Sequence, residues 1–129
     1  MFIASLVAVF QEDVKRMLAY SSVGQIGYML LGIAFLTETG LTATMLHMFN
    51  HALMKGALFF ALGAVMWKLG GVTLDKMRGA GKLMPWTMAA FVGGGLSLVG
   101  VPTTVGFISK WYLLNAAFER EWYWLIAIL

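Results

Sequence analysis

The sequence predicts an all-α fold, a polytopic transmembrane helical bundle, and three observations lead there. Of 129 residues, 60% are hydrophobic and only 12% are charged, against about 25% charged in an ordinary soluble domain. The charges are bunched: Glu12 to Arg16, Lys68 to Lys82, and Glu119 to Glu121. Between the bunches lie apolar stretches long enough to cross a hydrocarbon core of about 30 Å, which takes about 20 residues of helix. Three full spans follow, over about 17–36, 41–67 and 86–118.

The first span carries no charge and is rich in small residues (Ser21, Ser22, Gly24, Gly27, Gly32), which let helices approach closely. A short turn over 37–40 leads into the second, whose single charge is Lys55. A polar loop then runs to Pro85, where the third begins. Residues 2–10 are too short to span and lack the flanks of a signal peptide, so they read as the end of a partial helix. Residues 122–129, WYWLIAIL, read as the opening of another. The chain is therefore expected to be one set of transmembrane segments from a larger domain. Cations favour one side: Lys15, Arg16, Lys68, Lys76, Arg78 and Lys82 fall in the first and third connections, Arg120 in the last, and none in the 37–40 turn. The positive-inside rule makes the first and third connections cytoplasmic.

The net charge of +3 does not indicate nucleic acid, because the basic residues sit in loops rather than along one face. With no cysteine there is no disulfide framework or thiolate metal site. The ten methionines are scattered through apolar segments as packing residues.

Two features carry chemistry. In HMFNHALMKGALFF, His47, His51 and Lys55 recur every four residues, which places them within about 80° on one helical face and along about 12 Å of axis. Asn50 lies on the same broad side. An ammonium ion at the bilayer centre costs about 2.5 to 3.5 kcal/mol on insertion scales. Lys55 is 14 residues from Leu41 and 12 from Trp67, too far to reach either interface, so it is expected to face an internal water cavity. With histidines that titrate near neutrality, the line could pass a proton. The plain alternative is that these groups only hydrogen-bond helices together. Zinc is disfavoured, because His47 is followed by Met48 and no acid or cysteine completes a site.

The second feature is FVGGGLSLVGVPTTVGFISKWYLL, in the third span. Gly100, Pro102 and Gly106 are expected to break the helix, since Pro102 cannot donate to the carbonyl of Leu98. Irregular backbone at membrane depth survives only inside protein or beside water. Lys110 follows the break near the start of the second half-helix, whose N-terminus carries partial positive charge. Its plain alternative is an interfacial lysine beside Trp111 and Tyr112. Tyr20, Ser21, Ser22 and Gln25 read as packing residues of the first span that could also hydrogen-bond to the second.

At these blocks the chain resembles a known family. QEDVKRMLAYSSVGQIGYMLLG, HMFNHALMKGALFFALGAV and GLSLVGVPTTVGFISKWYLL look like three consecutive signature blocks of the proton-antiporter-like membrane subunits, shared by Mrp-type sodium/proton antiporters and respiratory complex I. The resemblance implies about fourteen transmembrane helices in two inverted repeats, each with a discontinuous helix, and this chain resembles the second repeat. It implies that Lys55 is the lysine of a central hydrophilic axis, with His51 and His47 as relay partners and Lys110 toward the exit. The glutamate and lysine pair of the first repeat has no counterpart here.

The leading implied function is a proton-translocating subunit of a multisubunit cation/proton antiporter, most like the D-type subunit of Mrp antiporters. The alternative is the proton-pumping antiporter-like subunit of NADH:quinone oxidoreductase or of a related membrane hydrogenase. Either way no cofactor, flavin, nicotinamide or iron–sulfur site is expected in this chain, and any redox activity belongs to partners. The expected partners are other membrane subunits of a hetero-oligomeric complex, protons, sodium in the antiporter case, and lipid. The expected location is the inner (cytoplasmic) membrane of a prokaryote, multi-pass. A purely structural subunit is a third reading, against which the intramembrane charges argue. Cysteines introduced at Thr39 and Gly79 of the full-length protein should be labelled from opposite sides of the membrane; labelling of both from the same side would refute three crossings.

Overall fold

The computed structural model describes residues 2–126. Every regular element among them is a helix: α1 Phe2–Val9, α2 Val14–Ala34, α3 Glu38–Leu69, α4 Ala80–Leu83, α5 Pro85–Val99, α6 Val105–Glu119 and α7 Tyr123–Ile126. The partial helix expected at the C-terminal end is represented by α7, and its residues 127–129 lie outside the described part.

The two long helices overrun the apolar stretches because their caps lie in the polar flanks. Asp13 accepts hydrogen bonds from the amides of Lys15 and Arg16 and so starts α2 ahead of its charged first turn. Thr37 accepts from the amide of Gly40 to start α3. At its far end α3 runs past Trp67 to Leu69 and stops at Gly70, whose φ of 70° is the left-handed conformation that glycine adopts freely. At 32 residues α3 is about 48 Å long, longer than a hydrocarbon core, so it must tilt or project.

α3 is the centre of the bundle, packed against α2, α5 and α6. Its buried positions (Ala43, His47, Asn50, Met54, Leu58, Ala61, Val65 and their neighbours) repeat at three and four residues and so form one face. Near one end Leu58, Leu62 and Val65 join Val14, Leu18 and Val72 in an apolar core. At the other, Ala43 joins Phe35, Leu113, Ala116 and Ala117. The polar line lies between the two. Gly32 and Gly40 face each other across the α2–α3 crossing, where Thr44 Oγ lies 3.1 Å from the carbonyl of Met29.

The outward surface is apolar. Of the most apolar window in α2 only 17% is buried, and of that in α3 only 33%. The core helix of a soluble protein would be mostly buried, so these faces require lipid or other membrane helices. α2 and α3 are each long and apolar enough to cross a membrane; α5 is apolar but shorter. The third expected span is two helices of 15 residues each, with the interruption at residues 100–104.

Both ends of the bundle are tied. At one, Val14 N–H donates to Val72 O and Leu74 N–H to Glu12 O, so the first and third connections meet. At the other, the Arg120 guanidinium donates to the carbonyls of Phe35 (2.5 Å) and Leu36 (3.0 Å), and Thr39 donates to Glu119 (2.6 Å). These ties put the six-cation side and the Arg120 side at opposite ends of α3.

Gly106, expected within the break, lies just inside α6. What it supplies is close approach: a methyl group there would overlap the carbonyl of Ser97, where α5 and α6 cross. Gly106→Ala should therefore cost about 1–3 kcal/mol, read as a lower thermal midpoint of the purified full-length protein. Gly93→Ala and Gly95→Ala, where a methyl meets open space, should leave the midpoint unchanged or raise it.

Candidate functional site

The polar line occupies the middle of the buried face of α3. His47 is 1% exposed, His51 9% and Lys55 7%, so all three are removed from the lipid-facing surface. The rings of His47 and His51 stack with centroids 6.2 Å apart and planes 17° from parallel, as one helical turn between them dictates.

His47, Asn50 and Lys55 are each met by a side chain or carbonyl of a neighbouring helix. His47 Nδ1 lies 2.9 Å from Ser109 Oγ on α6, and its Nε2 lies 2.9 Å from Gln25 Oε1 on α2. Lys55 Nζ donates to the carbonyl of Leu18 at 2.5 Å and to Ser21 Oγ, both on α2, and Ser21 in turn donates to Leu18. Lys55 is held by direct contact with α2. Asn50 donates to the carbonyl of Val105 at 2.9 Å, tying α3 to the start of α6. His51 has Nδ1 buried without a hydrogen-bond partner.

Lys110 departs from expectation in its surroundings. Its stem folds back across the interruption, and Nζ donates to the carbonyl of Val99 at 2.8 Å, at the C-terminal end of α5. The charge therefore meets the carbonyl end of one half-helix, not the amide end of the other. The same Nζ stands 5.4 Å above the ring of Tyr28 on α2, a cation–π contact. The Tyr28 ring meets His47 edge-on at 6.1 Å. Lys110 also borders a cavity of about 220 Å³ with Val99, Gly100, Phe107, Trp111 and Leu114.

The structure thus brings His47, His51 and Lys55 into one line, with Tyr28 between His47 and Lys110. Gly100, with φ of 90°, ends α5, and Pro102 lies in the interruption. Among the described residues the one ion pair is Arg78–Asp75, on the surface. Neither the buried Lys55 nor the half-buried Lys110 therefore has a carboxylate partner there; carbonyls, a hydroxyl and a ring face stand in its place.

Of Ser21, Gln25, Tyr28 and Ser109, the sequence marked the first two as able to hydrogen-bond to the second span, which they do, and gave little sign of the other two. The first three recur at spacings of four and three in the first span, the same period as the line on α3. That matching polar stripe was the available sign that α2 covers α3. Ser109 had no comparable pattern, because its place depends on how α6 leaves the interruption.

A helical bundle with an apolar exterior and a buried line of histidine and lysine defines a multi-pass membrane protein with an ionisable interior. Residues 1–129 match the family described as NADH:quinone oxidoreductase/Mrp antiporter, transmembrane region, and the chain belongs to that family. An NADH-quinone oxidoreductase subunit N from Desulforudis audaxviator (strain MP104C) is 46% identical over 125 residues, covering 97% of this chain and 25% of that relative. The D-type subunit of a Na(+)/H(+) antiporter from Alkalihalophilus pseudofirmus (strain ATCC BAA-2126 / JCM 17055 / OF4) is 38% identical over 128 residues, covering 99% and 26%. A chain in the structure of the membrane-bound sulfane sulfur reductase, an archaeal respiratory membrane complex, superposes with a TM-score of 0.83 at 43% identity, over 88% of this chain and 23% of that one. The chain spans about a quarter of the length of these relatives.

Ser109→Ala would leave the buried Nδ1 of His47 without its partner, a loss of about 1–3 kcal/mol, measurable as a lower thermal midpoint in detergent. Ser22→Ala, whose hydroxyl bonds only within α2, should change the midpoint little.

Proposed function

We propose that this chain forms a proton-conducting part of an antiporter-like membrane subunit, with protons relayed through Lys55, His51, His47 and Lys110. The observation that carries the reading is the line of Lys55, His51 and His47, one turn apart on the buried face of α3, continued from the stacked histidines through Tyr28 to Lys110. A helix held together by polar contacts alone has no need of a buried ammonium ion, which is expensive when neutral groups would serve. A lysine can release its proton and take it up again, whereas an arginine cannot.

In this reading α2, α3 and the α5–α6 pair make three crossings, and the six-cation end faces the cytoplasm of a prokaryote. α5 and α6 share the third crossing, and the interruption between them lies where Lys110 meets the cavity of about 220 Å³. That cavity is where water would reach the line.

Two assemblies suit such a subunit. A multisubunit sodium/proton antiporter, with this chain in the position of the D-type subunit, would drive proton movement by exchange with sodium. A respiratory complex of the NADH-quinone oxidoreductase kind would drive it by electron transfer in partner subunits. In both, the partners are other membrane subunits and the carried ion is the proton.

Proton flux into inverted vesicles at matched protein abundance tests the relay. Lys55→Ala in the full-length protein should nearly abolish flux, and Lys55→Arg should fail as well, because arginine keeps its proton; Lys110→Ala should slow flux while assembly stays normal. Full activity in Lys55→Arg would refute the relay.

A further inference from the structure

Among the groups of the line, His47 is the one with both ring nitrogens engaged by side chains of other helices. The two partners differ in what they can do. A hydroxyl carries one hydrogen, and the Ser109 hydroxyl lies 3.2 Å from the carbonyl of Gly106, to which it donates. While the bond to Gly106 is kept, Ser109 Oγ accepts from His47, and Nδ1 carries the proton. An imidazole with Nδ1–H is either neutral, with Nε2 bare, or cationic, with Nε2–H.

The group facing Nε2 is the end of Gln25, with Oε1 at 2.9 Å. A carboxamide, unlike a carbonyl or a carboxylate, can either accept or donate in the same place, by turning its plane over. With Oε1 toward the ring, every hydrogen bond of the Gln25–His47–Ser109–Gly106 chain is satisfied when His47 is an imidazolium. With the NH2 toward the ring, every one is satisfied when His47 is neutral. We infer that Gln25 is a positioning residue that turns with each proton, so that His47 keeps a full set of partners in both charge states. This deepens the relay reading and rests on it.

The proton balance is simple. One proton, delivered from the neighbouring water or titratable group, forms an N–H bond at Nε2; the ring gains one positive charge, and the amide turns without exchanging any atom. Release breaks the same bond, the proton passes to the next acceptor, and the amide turns back. The charged and titratable groups around His47 are His51 and Lys55 on its own helix, Tyr28 on α2 and Lys110 on α6, while the α5 segment contains no titratable side chain. None of these is a carboxylate, so no fixed negative charge holds the proton at His47. His51, with its buried unpartnered Nδ1, lacks such an accommodating neighbour.

The substitutions that separate this from a role in packing are Gln25→Glu and Gln25→Met in the full-length protein in its native membrane complex. Glutamate keeps the shape and can accept from the imidazolium, but as a carboxylate it cannot donate to the neutral ring. Both variants should reduce proton flux by at least about tenfold, the cost of one charge-assisted hydrogen bond lost or made permanent. In Gln25→Glu the infrared signature of the imidazolium, assigned to His47 by its absence in a Gln25→Glu, His47→Phe protein, should persist at pH values where it disappears in the wild type. Wild-type flux in Gln25→Glu, or an imidazolium signal that disappears as in the wild type, would overturn the inference. The glutamate variant is nearly isosteric and gives the answer even if Gln25→Met fails to assemble. Should Lys55→Arg also conduct normally, the relay itself fails; should Lys55→Arg be inactive while both Gln25 variants conduct, only the role of Gln25 fails.

Discussion

Burial of the polar stripe on α3 is the constraint on which the rest of the structure depends. Hydrocarbon offers no hydrogen bonds, so His47, Asn50, His51 and Lys55 are tolerable only on a face that other helices cover. One stripe every four residues cannot be covered by a single straight neighbour, because it drifts around the helix. α2 meets it at Lys55 and at one edge of His47, and α6 meets it at Asn50 and the other edge of His47. The glycines at the crossings follow from the same need. Gly32 and Gly40 bring α2 close enough for short side chains to reach across, and Gly106 lets α6 rest on the backbone of α5.

The interruption between α5 and α6 is the costlier half of that arrangement. Pro102 removes an amide from the hydrogen-bond pattern, Gly100 takes a φ of 90°, and Thr103 takes 83° although it carries a β-branched side chain. A non-glycine residue held there costs on the order of 1–3 kcal/mol. The return is positional. The freed carbonyl of Val101 accepts from Thr104 at 2.7 Å, and that of Val99 accepts from Lys110. A continuous helix would have used the Val99 carbonyl within its own ladder, and Lys110, eleven residues on, would have lain about 16 Å further along the axis. The break is what folds a lysine back onto its own span.

This division explains what the sequence disclosed. The stripe on α3 was legible because helix period alone puts residues 47, 51 and 55 on one face. The interruption was legible because Gly100 and Pro102 act on the backbone locally. The helix termini were less so: Asp13 and Thr37 extend α2 and α3 into polar sequence, where hydropathy gives no warning. Ser21 was legible as a residue that could reach the second span, but not as the partner of Lys55, and the neighbours of Lys110 were not legible, since contacts across 34 or 11 residues depend on crossing geometry. The direct contact of Lys55 with Leu18 and Ser21 arises because small residues on α2 let its backbone come within reach of the ammonium. Gly106 was read for its lack of helix propensity, yet its position is set by the missing Cβ.

The partners of Lys55 and Lys110 also constrain what the segment contributes to a larger assembly. A carboxylate beside Lys55 would compensate the charge more fully, but it would bind the proton as an ion pair and hold it. Carbonyls, hydroxyls, a carboxamide and a ring face stabilise charge without fixing it. Relatives that align over this segment are named for NADH-quinone oxidation in one case and sodium/proton antiport in another. Those names differ in the source of energy. What the relatives share in these residues therefore cannot be the energy source, and the buried line, made of groups that carry no redox chemistry of their own, is the part of the fold that can be common to both. A driving reaction elsewhere would act on it by changing the field or the contacts around Lys55 and Lys110, where neutral partners leave the charge free to respond.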